Sequence, residues 1–304
     1  MALTKLTTKL LFVAILGLLA FTQVGHAQFF NGTVGGDGDA AGGGRGAPTK
    51  EALVPAMFIF GDSLIDNGNN NNLASLAKAN YLPYGIDFNG GPTGRFSNGY
   101  TMVDEIAEQL GLPLIPPYTE ATNGDVTRGV NYASAAAGIL DDTGRNFTLY
   151  NLGARKFVIA GLGVMGCIPS ILAQSPAGLC SEEVNKLVTP FNQNVKAMIN
   201  NFNANLPGAR FTYIDIAKMF REVLTNSERY GFSVVNRGCC GIGRNAGQIT
   251  CLPFQTPCNE RGQYVFWDAF HPTEAVNVLM GRKAFNGDTT YVYPINIEQL
   301  ARIG

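Results

Sequence analysis

The sequence predicts an α/β domain built on a parallel sheet with helices on both faces. Two observations carry that expectation. Short apolar runs of strand length, at 56–60, 130–134, 156–160 and 210–215, alternate with longer segments in which apolar residues recur at helical spacing, and such alternation builds parallel strands joined by helical crossovers. The second is size: beyond a removable leader, roughly 277 residues remain, enough for one large domain that buries most of its apolar surface.

The chain opens with Lys5 and Lys9, an apolar stretch from Leu10 to Phe21 and small residues around Gly25-His26-Ala27. That order reads as a signal peptide over 1–27, too short in its apolar part to span a bilayer comfortably. No later segment is apolar enough for a transmembrane helix. Residues 28–53 are dominated by Gly, Asp and Ala and read as a flexible tether. The domain is expected over 54–304.

Ala56 to Phe60 reads as a buried strand, with Gly61-Asp62-Ser63 as its turn. Ser97-Asn98 is expected to cap a helix from Gly99 to Leu110, whose Met102, Val103, Ile106 and Leu110 share a face before Gly111 and Pro113 end it. Val130 to Ser134, Lys156 to Ala160 and Arg210 to Asp215 supply further strands. Ser181 opens a long helix with Glu182 and Glu183 in its first turn and Val184, Leu187, Val188, Phe191, Val195, Met198 and Phe202 facing inward, kinked at Pro190. Thr273 caps a last helix through Val276, Leu279 and Met280.

Net charge is −1 and the basic residues are scattered, which gives no footprint for nucleic acid. The six cysteines (Cys167, Cys180, Cys239, Cys240, Cys251, Cys258) are an even number in a chain read as secreted, favouring disulfides over a metal. Cys167 with Cys180, and pairing among the other four, would need only short loops. The CxxC spacing of a zinc site is absent, and the Asn67 to Asn72 run lacks the carboxylates of a tight calcium site and reads as a turn. No cofactor is expected. Sequons stand at Asn31 and Asn146.

Chemistry concentrates in two strings. The chain has two histidines, and His26 lies in the leader, so His271 in WDAFHP is the one imidazole left to the domain. Asp268 stands three residues before it, and Ser63 follows a strand in FIFGDSLIDNGNN. A serine nucleophile needs an imidazole to take its proton and a carboxylate to orient the imidazole. In parallel sheets such groups gather at the carboxyl ends of strands, where Ser63 falls.

These strings, with NYASAAAGIL around Gly138 and GVMGCIP around Cys167, make the chain resemble the plant GDSL-type esterases and lipases of the SGNH hydrolase superfamily, from about Val54 to Ile303. The resemblance implies a three-layer, flavodoxin-like fold, secretion to the extracellular space or cell wall, and hydrolysis of carboxylic esters of small-molecule or lipid origin. Carried over residue by residue, it implies Ser63 as nucleophile, His271 as general base and Asp268 as its orienting carboxylate, with the backbone N–H groups of Ser63 and Gly138 donating to the oxyanion.

One segment of that family is missing. The superfamily places Gly-x-Asn-Asp at the end of a central strand between the Gly138 loop and the strand near Lys156, and this chain contains no Asn-Asp dipeptide. Only residues 141–155 join those elements, whereas a strand with its crossover helix needs about thirty residues. The expectation is therefore a sheet lacking one central strand, deleted near Phe147. Three readings follow: an ester hydrolase, a folded but catalytically weak ester-binding protein, and a non-functional isoform. Acyl and alcohol specificity and oligomeric state are not legible in the sequence.

Overall fold

The computed structural model describes residues 18–22, 51–122, 124–138, 149–150 and 153–304. The proposed deletion point, both sequons and nearly all of the Gly-rich tether lie outside the described residues. The strands are β1 (Leu18–Thr22), β2 (Phe58–Phe60), β3 (Ala154–Ala160), β4 (Arg210–Ile214), β5 (Val234–Gly238), β6 (Tyr264–Phe266) and β7 (Val292–Tyr293). The α-helices are α1 (Met102–Gln109), α2 (Pro169–Leu172), α3 (Glu182–Asn205), α4 (Ile216–Thr225), α5 (Glu274–Asn286) and α6 (Ile297–Arg302).

The main sheet has the order β2-β1-β3-β4-β7. β3 and β4 are parallel, with Lys156 opposite Arg210 and Ala160 opposite Ile214. The strands alternate between two cores, as a sheet covered on both faces requires. Phe157, Ile159, Phe211 and Tyr213 pack with Val195 and Ile199 of α3. Val158, Ala160 and Ile214 pack on the other side with residues of α1, α4, α5 and α6. The result is three layers, as expected, with a mixed rather than purely parallel sheet because β1 and β7 run antiparallel to their neighbours.

β1 comes from within the expected leader. It pairs antiparallel with β2 on one side (Leu19 opposite Ile59) and with β3 on the other (Leu19 opposite Val158). β2 and β3 thus run the same way, one strand apart, and the space between them is held by a segment from the N-terminal region.

The expected strand at 130–134 forms no regular ladder. It lies parallel to β2 through one bridge, Ile59 opposite Asn131, and parallel to the segment at Pro117 through another, Pro117 opposite Asn131. Met57 N–H donates to Arg128 O at 3.1 Å, Ile59 N–H to Val130 O at 3.0 Å and Tyr132 N–H to Ile59 O at 2.7 Å. Gly129 makes this approach possible: at φ 125°, a Cβ there would fall 1.8 Å from Met57 O.

Two helix expectations are corrected. α1 starts at Met102, capped by Thr101 and Asp104 in a reciprocal box, and not by Ser97-Asn98. Asn98 instead accepts from Glu274 N–H at 2.9 Å and joins α1 to α5. α3 is one continuous helix through Pro190 with Ser181 Oγ accepting from Val184 N–H, but its buried face is Asn185, Val188, Val195 and Ile199 while Leu187 and Met198 are exposed. Polar anchors set that rotation: Asn185 Oδ1 accepts from Gly166 N–H at 2.9 Å, and the Asn192 amide exchanges bonds with Leu162 N–H and O at 2.8 and 2.9 Å.

The six cysteines form Cys167–Cys180, Cys239–Cys258 and Cys240–Cys251. Loops of 11 to 19 residues are closed, each worth about 3 kcal/mol on a chain-entropy basis. No described helix is long and apolar enough to cross a membrane.

Candidate active site

Three expected residues from opposite ends of the domain meet at the end of β2. His271 Nε2 lies 2.8 Å from Ser63 Oγ, and His271 Nδ1 lies 2.9 Å from both carboxylate oxygens of Asp268. Asp268 is fully buried and His271 is 7% exposed.

The three-residue spacing works because Asp268 folds its own loop. Its Oδ1 accepts from the backbone N–H groups of Phe270 and His271, each at 2.8 Å, which brings the imidazole back over the carboxylate. The loop leaves β6 and is pinned from outside. Trp267 N–H donates to His271 O at 2.8 Å, Cys240 N–H to Trp267 O at 2.7 Å and Ser170 N–H to Ala269 O at 2.9 Å. Two disulfides, at Cys239 and Cys240, hold the segment just after β5 that Trp267 contacts. Phe96 covers the imidazole with ring centres 5.0 Å apart.

Burial pushes the Asp268 carboxyl up, but the neighbouring His271 and the hydrogen bonds from His271, Tyr84 and Phe270 outweigh it and hold the group below its ordinary range. An ionised carboxylate only accepts, so Nδ1 carries the hydrogen and Nε2 is left to accept from Ser63 Oγ–H. That is the proton route serine acyl transfer needs.

The Ser63 loop is held by side chains that read only as a turn in sequence. Asp66 is buried and accepts from Gly68, Asn69 and Ala135 N–H at 2.9, 2.8 and 2.8 Å. Asn69 Nδ2 donates to Asn131 O and Ala133 O, and Asn70 Nδ2 to Ala77 O and Ala135 O. In return Asn131 Nδ2 donates to Ile65 O. The asparagine run is a clamp that fastens the Ser63 loop to the segment leading to Gly138. Ser134 N–H also donates to Gly61 O at 3.0 Å. Gly138 is the last described residue before position 149.

Asp62, next to Ser63, is buried with Oδ1 accepting from Leu64 N–H at 3.0 Å and Oδ2 without a partner. Burial pushes its carboxyl up to about 6 against the lowering effect of Leu64 N–H and His271. Tyr84 is the contributor that sequence reasoning missed. It lies in YLPYG, without a catalytic motif, and donates its hydroxyl to Asp268 Oδ2 at 2.6 Å.

With this geometry in view, comparison with known proteins is direct. The sequence profile of the GDSL-like lipase/acylhydrolases matches residues 57–149 and 144–284, in two pieces that meet at the position expected for the deletion. A GDSL esterase/lipase of Arabidopsis thaliana is 54% identical over 336 positions, covering 84% of this chain and 88% of the relative. Two further GDSL esterase/lipases of that plant are 42% and 41% identical, covering 83% of this chain and 93% and 94% of their own lengths. Since 84% of 304 residues is about 255, the 336-position match leaves about 80 positions with no counterpart here. By both profile and relatives, the chain belongs to the GDSL-like lipase/acylhydrolase family.

Proposed function

We propose that the chain is a secreted carboxylic ester hydrolase in which Ser63 attacks the ester carbonyl. His271 takes the serine proton and returns it to the leaving alcohol, and Asp268 orients the imidazole and supports it when charged. Water then repeats the attack on the acyl-enzyme, with His271 again as base. The backbone N–H groups of Ser63 and Gly138 are assigned to the oxyanion. The observation that carries this reading is the unbroken path from Ser63 Oγ through His271 to Asp268 at 2.8 and 2.9 Å. The expected leader over 1–27, the tether over 28–53 and the domain over 54–304 belong to the same reading, and three disulfides fit an oxidising compartment. The test is fluorophosphonate labelling of purified protein. Covalent modification at Ser63, lost in Ser63→Ala, supports it, and labelling elsewhere or none overturns it.

A second reading, a catalytically impaired product of the same family, is favoured by the roughly 80 missing positions. The family places its oxyanion asparagine in the segment absent between Gly138 and Lys156. Mass spectrometry of native tissue decides whether this form exists: the tryptic peptide Asn146 to Arg155 occurs only in a chain joined as here.

A further inference from the structure

Asp268 has a second side-chain partner that the catalytic reading leaves without a role. Its Oδ1 is occupied by two backbone N–H groups of its own loop, and both oxygens face His271 Nδ1. The outer oxygen, Oδ2, has one further donor among the described residues, the Tyr84 hydroxyl at 2.6 Å.

Tyr84 is built to hold that position. It is 1% exposed, and its ring is boxed edge-on by Tyr81, Phe96 and Trp267 at centroid distances of 5.3, 5.9 and 6.1 Å. Phe96 is also the ring that covers His271, so one aromatic cluster fixes both the imidazole and the phenol. Thr250 Oγ1 stands 3.5 Å from the phenol oxygen. A carboxylate only accepts, so the phenol must donate to Asp268.

We propose that Tyr84 is a positioning residue of the active site: its hydroxyl fixes the plane of the Asp268 carboxylate and takes up part of its charge. Without that donor, Oδ2 keeps only His271 Nδ1–H, and the carboxylate concentrates its charge on that one remaining side-chain donor. The charge across the Asp268–His271 pair is thereby redistributed, which the pH profile of turnover reads, while Asp62, the other carboxyl whose charge bears on the imidazole, is unchanged. The proton stays with His271 throughout, and Tyr84 exchanges none with substrate. Burial and Asp268 keep the phenol far above its ordinary range, so it remains a donor.

This inference rests on the Ser63–His271–Asp268 reading, and the experiment separates the two. The full chain, Tyr84→Phe and Ser63→Ala are assayed on p-nitrophenyl acetate from about pH 5 to 9, with melting followed in parallel. Phenylalanine keeps the ring and its packing. Expected for Tyr84→Phe are a kcat lowered about tenfold near neutrality, as for loss of one hydrogen bond to a charged group, an unchanged KM and a displaced acid limb. A proton NMR signal far downfield, from His271 Nδ1–H, is expected to move in Tyr84→Phe whether or not the protein turns over. A purely structural tyrosine would lower the melting temperature and leave the acid limb and the NMR signal in place. Wild-type kcat, pH profile and NMR signal in Tyr84→Phe, beside an inactive Ser63→Ala, overturn the role of Tyr84 alone. Full activity in Ser63→Ala overturns both readings.

Discussion

Asp62 offers a quantitative test of the site's electrostatics. Its carboxyl is pushed from 3.8 to about 6, chiefly by burial, and one of its oxygens has no partner. A carboxyl whose folded value lies above its unfolded value penalises the fold as pH rises. The penalty is absent well below 3.8, grows between 3.8 and about 6 and is constant above. A shift of about 2 units corresponds to about 3 kcal/mol when both states are ionised, of which about 2 kcal/mol develops between pH 4 and pH 7. Asp62→Asn removes the titration but keeps the shape and the acceptor for Leu64 N–H. Because the asparagine NH₂ takes the unpartnered place, its absolute effect mixes relief of charge with a new buried donor. The change between two pH values does not. Urea unfolding of both proteins, disulfides intact, at about pH 4 and pH 7 should show the stability difference moving by about 2 kcal/mol in favour of Asn. Groups uncoupled to Asp62 cancel in that comparison. Stability curves that stay parallel across this range would refute the burial argument.

Four further outcomes are expected. Ser63→Ala and His271→Ala should each lower turnover of short p-nitrophenyl esters by at least about 10⁴-fold, with the double variant little worse, because nucleophile and base act as one unit; additive losses would point to another site. Asp104→Ala should destabilise the fold by about 3–5 kcal/mol, measured by denaturant unfolding, since it strands the buried Arg95, which Asp104 holds at 2.8 Å through both carboxylate oxygens, and removes the Thr101 capping box. Inserting a complete Gly-x-Asn-Asp strand and its flanking helices near Phe147 should raise kcat by roughly 10²- to 10³-fold and sharpen melting; equal kcat and melting temperature for the two forms would refute the deletion. Removing residues 1–27 from the present chain should lower its melting temperature relative to the full chain, a difference that vanishes in the form with the inserted strand.

Much of the site was legible because its chemistry is local. Asp268 and His271 share one loop, and Ser63 follows a short apolar strand, so a three-residue spacing and a strand end predict their arrangement. Tyr84 was not legible: its contact with Asp268 spans 184 positions, and nothing in YLPYG marks its hydroxyl. The asparagine clamp was equally hidden. Asn69 and Asn70 look like turn residues, and what gives them their role is a neighbouring segment whose carbonyls at Asn131, Ala133 and Ala135 accept from their amides. The rotation of α3 was misjudged by apolar counting because Asn185 and Asn192 satisfy backbone groups on the inward side. β7 and α6 escaped notice because two and six residues give too little periodicity to read.

The antiparallel course of β1 would tie removal of the expected leader to the completeness of the sheet. Consecutive parallel strands of one chain need a long crossover between them, whereas a strand supplied by a chain end needs none. Cleavage after Ala27 would separate Leu18–Thr22 from the domain and leave β2 and β3 facing each other across about 10 Å, two strand spacings, with main-chain groups unpaired on both sides. Such a breach accepts an extended segment from any donor, including another copy of the chain that has kept its leader. On the expectation of cleavage there, the processed chain would need such a segment from elsewhere, and its assembly would then depend on concentration.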